Sequence, residues 1–134
     1  MSSLPVLAPS PSPETKAFWD ATADDRLLLP KCSACGTVIW YPRAICPDCH
    51  SLEIEWFEAA GTGTIYSWTV SHRGEGPYRE ASPYCIAYVE LDEGPRVLTN
   101  IVDADLTSLA IGQRVTLAWA DTGEGTKLPR FRPV

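Results

Sequence analysis

Two hydropathy rhythms divide the chain. From Gly61 onward apolar and polar residues alternate with the period of two that marks β-strands. Residues 64–71 are rich in β-branched and aromatic side chains. Residues 84–91 alternate cleanly, with Cys85, Ala87, Val89 and Leu91 on one face and Tyr84, Ile86, Tyr88 and Glu90 on the other. A turn over 92–95 leads to a strand over 96–102. A helical turn or loop over 105–111, closed by Gly112, precedes strands over 113–120 and 127–132, the last shortened by Pro129. Five strands with an interruption before the fourth predict a mainly β chain ending in a small Greek-key barrel of the oligonucleotide/oligosaccharide-binding (OB) type.

The first sixty residues follow a different pattern. Residues 1–13 hold four of the twelve prolines and four serines, which predicts an extended leader. Residues 14–24 predict a short helix with Ala17, Phe18 and Ala21 on one side and Ser12 or Thr15 as its cap. An apolar run over 26–31 enters the first cysteine pair, and residues 38–41 and 54–57 read as short strands. The expected organisation is a leader (1–13), a helix with a cysteine-rich region (14–60) and the barrel (61–134).

Four of the five cysteines form two pairs, Cys32/Cys35 and Cys46/Cys49, in the spacing C-x2-C-x10-C-x2-C. The chain shows no basic n-region or apolar h-region at its start, so the expected setting is a reducing cytoplasm, where such pairs bind metal rather than form disulfides. Each C-x-x-C turn aims two thiolates at one cation, and Gly36 supplies a left-handed residue after the first. Four thiolates close the coordination sphere, the mark of a structural zinc site. A four-thiolate iron centre and a redox pair are the rivals. His50 reads as an exposed neighbour, and Cys85 as a buried small hydrophobe.

Of 134 residues, 17 are acidic and 11 basic, giving a net charge of −6, which disfavours nonspecific binding to phosphate backbones. No apolar run reaches the roughly 18–20 residues of a membrane span. The segment Gly61-Thr62-Gly63 precedes a strand and lacks the lysine of a phosphate loop, so it reads as a structural entry into a curled strand. Tyr66 and Trp68 are placed on one face of a strand, and Tyr84 and Tyr88 on one face of another. They suit a core, a partner interface or base stacking. Arg73 and Arg79 flank a glycine-rich loop next to His72. This loop is solvated, meets acidic groups of a partner, or meets phosphates; Arg43, after Pro42, is a third such cation. No nucleophile stands beside His72 in the sequence, and Asp20, Asp24, Asp25, Asp92 and Glu93 are spread over helix and turns, so no catalytic residue is assigned.

A helix carrying Phe18-Trp19, then C-x-x-C-G, Tyr41-Pro42-Arg43, CP-x-C and G-x-G-x-IYSWT follow in order, continued by YCIAYVELDEGPR, L-x-IGQRV and LP-x-FRP. Over residues 14–134 this arrangement resembles domain-of-unknown-function family 35, proteins with a rubredoxin-like zinc ribbon and an OB-fold. The resemblance implies a non-catalytic accessory subunit of a thiolase-like or lipid-transfer-protein-like enzyme. Relatives of this kind sit in acetoacetyl-CoA thiolase/synthase assemblies, steroid side-chain aldolases and three-component acyltransferases. It implies zinc on Cys32, Cys35, Cys46 and Cys49, and a hetero-oligomeric partner, with a hydratase as a further member of such an assembly. It also implies a hand in holding coenzyme A or in bridging two enzymes. Phosphate contact would then fall to Arg43, Arg73 and Arg79, and partner contact to Tyr66, Trp68, Tyr84 and Tyr88. A single-stranded nucleic-acid-binding module is the alternative. If the tyrosine surface is not the functional one, the helix with Phe18 and Trp19 is the next candidate.

Overall fold

A computed structural model describes residues 4–134. The first three residues of the expected leader lie outside the described residues; from residue 4 the leader has no regular structure as far as Ser12, where a turn begins. Helix α1 (Lys16–Thr22) is shorter than the sequence predicts. Thr15 is its N-cap, but the Thr15 side chain makes no capping bond; its hydroxyl instead accepts from the Ser12 amide at 2.9 Å. The helix buries Phe18, Trp19, Ala21 and Thr22. Thr22 ties it to the end of the chain, its hydroxyl accepting from the Lys127 amide at 3.0 Å.

Strands β1 (Leu28–Cys32) and β2 (Ile54–Glu58) form an antiparallel hairpin, with Cys32 opposite Ile54. The strand expected over 38–41 is reduced to one bridge, Lys31 to Val38. Cys32 donates its amide to Thr37 and Ile39 donates to Pro30, after which the chain reaches Pro42, which has no amide to extend a ladder.

The barrel comprises β3 (Thr62–Ser71), β4 (Tyr84–Leu91), β5 (Arg96–Thr99), β6 (Arg114–Asp121) and β7 (Lys127–Pro133), in the order β5-β4-β3-β6-β7. The ten-residue β3 is the hinge of the sheet: it pairs with β4 along its length and with β6 through Thr62, Gly63 and Thr64. A side chain at Gly63 would run into the Glu90 carbonyl, so this glycine permits close backbone approach. Beyond β5, Ile101 bridges Phe131 in parallel and Val102 donates to the Phe131 carbonyl at 2.8 Å, curling the ends together. This five-strand arrangement is the OB fold. Cys85, Ala87, Val89 and Leu91 face inward, as their alternation predicts. They join Phe18, Trp19, Leu27 and Leu29 in a continuous core that the helix and hairpin share with the barrel. No helix among the described residues is long and apolar enough to cross a membrane.

Candidate functional site: a metal centre, a cationic loop and an aromatic face

The four paired cysteines converge. Their sulfurs all lie within 4.8 Å of one another, with Cys32 3.6 Å from Cys49 and Cys35 3.6 Å from Cys46. Tetrahedral zinc with Zn–S bonds of about 2.3 Å requires sulfur separations of roughly 3.8 Å, so the cluster fits that ion. The two knuckles are built alike. Gly36 donates its amide to the Cys32 carbonyl and His50 donates to the Cys46 carbonyl, and both adopt positive φ, +82° and +64°. His50 thus serves through its backbone, in a conformation that ordinarily favours glycine.

Cys32 and Cys46 are buried and Cys35 and Cys49 exposed. The Thr37 hydroxyl lies 3.2 Å from Cys35 and donates to Asp48 at 2.8 Å, linking the knuckles. The Thr37 side chain, then its amide, holds the Cys35 thiol down to about 6. At Cys49 the Ser51 amide also pulls downward, but the sulfurs of Cys32 and Cys35, with burial, push the thiol up to about 12. Thiols this close resist shared ionisation until a cation lies between them. Zinc held there would supply structural cross-linking, with no fifth position open.

The loop after β3 brings two of the three expected cations together. Arg73 and Arg79 line one open cavity of about 730 Å³ with His72, Gly74, Glu75 and Ser82. A 3-10 turn (Gly76–Tyr78) shapes the loop. Ser82 stitches it: its hydroxyl accepts from the Gly74 amide at 2.6 Å and donates to the Tyr78 carbonyl at 3.2 Å. That hydroxyl shares the cavity with His72, which sequence spacing alone does not reveal, but it is committed to backbone and is no activated nucleophile. Arg43 lies in the ribbon and does not line this cavity.

The four aromatic candidates separate. A β-bulge at Tyr66 shifts the register between Ile65 and Ser67, so Tyr66 and Trp68 do not share a face as their spacing predicts. Trp68 pairs with buried Ala87 and packs against the core, whereas Tyr66 points outward. On that outer face Ser67, Tyr88 and Leu98 align across β3, β4 and β5, with Tyr66, Tyr88 and Leu98 exposed. Leu98 was not among the sequence candidates because Val97 and Leu98 stand side by side in a four-residue strand, too short for alternation to tell which of them faces out. The Arg96 guanidinium stacks 3.8 Å above the Tyr66 ring and pairs with Glu90 at 3.0 Å. Tyr84 is half-buried and packs on Tyr78 at 5.3 Å. Among the carboxylates, Asp92 receives a two-pronged contact from Arg114 at 2.7 and 3.1 Å, plus the Thr62 hydroxyl. The Arg114 and Thr62 bonds lower its carboxyl to about 2.

Residues 19–55 match the family described as "ChsH2, rubredoxin-like zinc ribbon domain", and residues 56–120 match "ChsH2, C-terminal OB-fold domain". A "Probable enoyl-CoA hydratase alpha subunit" of Thermomonospora curvata is 42% identical over 118 residues, 87% of this chain but 37% of that protein. The chain thus spans little more than a third of that relative. A "DUF35 domain-containing scaffold protein" of Methanothermobacter thermautotrophicus is 37% identical over 95 residues, 70% of this chain and 71% of that one. A solved structure described as "Ltp2-ChsH2(DUF35) aldolase" contains a chain that superposes with a TM-score of 0.84 at 37% identity, covering 94% of this chain and 98% of that one. With its clustered cysteine ribbon and OB barrel, the chain belongs to the DUF35/ChsH2 family.

Proposed function

We propose that the chain is a non-catalytic scaffold subunit of an acyl-CoA enzyme assembly, seated on a thiolase-like aldolase or a related thiolase-superfamily enzyme. The observation that carries this reading is the likeness, over nearly the whole of both chains, to the DUF35 component of an aldolase. The hydratase name of the longer relative makes a hydratase a further candidate member of the assembly. The chemistry of the chain agrees: the four paired sulfurs cluster as a closed four-thiolate site would require, and Ser82 is bound to backbone. The exposed Tyr66, Tyr88 and Leu98 are the apolar centre of the docking face, with Arg96 at its side. Arg73 and Arg79 are the groups for coenzyme A phosphates, close enough to share one cavity.

The nucleic-acid reading gains nothing here: Arg96 already occupies the ring of Tyr66 and is neutralised by Glu90. The test is assembly with the thiolase-like enzyme by size exclusion and coenzyme A binding by calorimetry. Tyr88→Ala is expected to weaken assembly about thirtyfold, the roughly 2 kcal/mol of a central interface aromatic. Arg73→Ala/Arg79→Ala is expected to weaken coenzyme A binding, with an effect that fades as salt rises, and to leave assembly intact. Parent-like behaviour of both variants would remove these surfaces from the account.

A further inference from the structure

Arg130, on β7 beside the core residue Phe131, is a charged side chain only 6% exposed. Among the ion pairs of the described residues none involves it. A guanidinium withdrawn from water without a carboxylate is costly. Burial pulls its pKa below the ordinary value, and Tyr78 pulls it partly back. Beside the Tyr78 hydroxyl, which also hydrogen-bonds to it, its acceptor is the backbone carbonyl of Pro5; both are neutral, and Pro5 lies in a leader segment that has no regular structure.

The same guanidinium lines an open groove of about 320 Å³ between the helix–ribbon module and the barrel. The groove walls are Phe18, Trp19, Trp40 and Tyr41 on one side and Leu98 and Pro129 on the other. Trp19 donates its indole N–H to the Tyr41 hydroxyl at 3.0 Å, which fixes the aromatic wall, while Tyr41 and Leu98 stand exposed at the rim.

We infer that this groove is a docking site for an apolar polypeptide segment of the partner subunit that carries a carboxylate, with Arg130 as the anchor and the Pro5 carbonyl as the placeholder the carboxylate displaces. Charge complementarity selects this occupant. The protein as a whole is acidic, so a carboxylate gains here only at a cation that its own chain leaves uncompensated. The fork of an arginine accepts a carboxylate through two charge-assisted bonds, stronger than the single bond to a neutral carbonyl. The aromatic walls bury the apolar side chains on either side of that carboxylate. The inference rests on the scaffold reading, since it needs a protein partner.

The experiment titrates the full chain, by calorimetry, with acetyl-Leu-Trp-Leu ending in a free carboxylate and with the same peptide ending in a carboxamide. The carboxylate peptide is expected to bind roughly tenfold tighter or more, a difference of about 1.4 kcal/mol. Arg130→Gln should erase the preference. Leu4→Ser/Val6→Ser, which loosens the half-buried leader around Pro5, should tighten the carboxylate peptide severalfold. Equal affinity for the two peptides in the parent and in the leader variant, or no binding of either at millimolar concentration, overturns the inference. The leader variant decides the matter even if Arg130→Gln does not fold. Assembly with the thiolase-like enzyme is measured alongside. Normal assembly without a carboxylate preference removes the groove and leaves the scaffold reading standing. A carboxylate preference in a chain that fails to assemble removes the scaffold reading and, with it, the partner as the source of the segment.

Discussion

The cysteine end of the ribbon and the barrel hold their shape by different means. Around the four sulfurs the buried apolar set is Cys32, Ile39 and Cys46, with Ile54 packed against them. Two of those belong to the sulfur cluster itself, so little is left to offset the entropy of ordering the two knuckles. The barrel has a core that runs from Phe18 on the helix through Val89 and Val115 to Phe131. Its shape follows from burial and from the curl of β3. With a metal held by the four sulfurs, as we propose, the ribbon tip is a metal-dependent attachment on a body that does not need the metal, and the two regions should fail separately.

The largest expected effect breaks that comparison at the ribbon. Cys32→Ser should abolish stoichiometric metal binding, and hydrogen exchange should show residues 32–54 losing protection while β3, β4 and β6 keep theirs. Cys85→Ser should do the reverse. It leaves metal content at about one per chain and lowers barrel stability by about 1–3 kcal/mol, the cost of a buried hydroxyl in an apolar site. Full metal occupancy in Cys32→Ser, or loss of metal in Cys85→Ser, contradicts the division.

A smaller effect sharpens the barrel side. The Arg114 fork and the Thr62 hydroxyl hold Asp92 at about 2, below its ordinary value. Folding therefore favours the ionised form. The stabilisation is fully present above about pH 4 and is lost as pH falls through the folded-state value. Because both partners are substantially solvent-exposed, it should amount to no more than about 1 kcal/mol. Denaturant titrations of the parent and Asp92→Asn should differ near neutrality and converge toward pH 2. The smallest effect lies in the second knuckle. His50→Gly relieves a left-handed histidine, and should raise ribbon stability by at most about 1 kcal/mol with metal content unchanged. Metal loss in that variant would show His50 to be more than a backbone element.

What the sequence made legible follows the range of the signals. The convergence of the four cysteines was readable because it is local: two C-x-x-C turns settle where each pair of sulfurs points, and Gly36 marks the turn. The inward and outward faces of β4 were readable because the alternation runs unbroken over Tyr84–Leu91. Arg73 and Arg79 were within reach because one short loop joins them. The bulge at Tyr66 was not, since an unpaired residue in a ladder depends on the partner strand's register and leaves no mark in its own strand's side chains. The groove around Arg130 was hidden for a related reason. Its walls come from α1, the ribbon, β5 and β7, segments brought together only by barrel closure at Ile101 and Phe131.

The central claim is that this chain supports another enzyme's chemistry and performs none itself. The most direct measurement compares acyl-CoA turnover by the purified chain, by the thiolase-like enzyme it is proposed to join, and by the two mixed at equal concentration. The account predicts no turnover above background for the chain alone, and higher activity or a stable complex for the mixture. Acyl-CoA turnover by the chain alone that disappears in His72→Ala would contradict it.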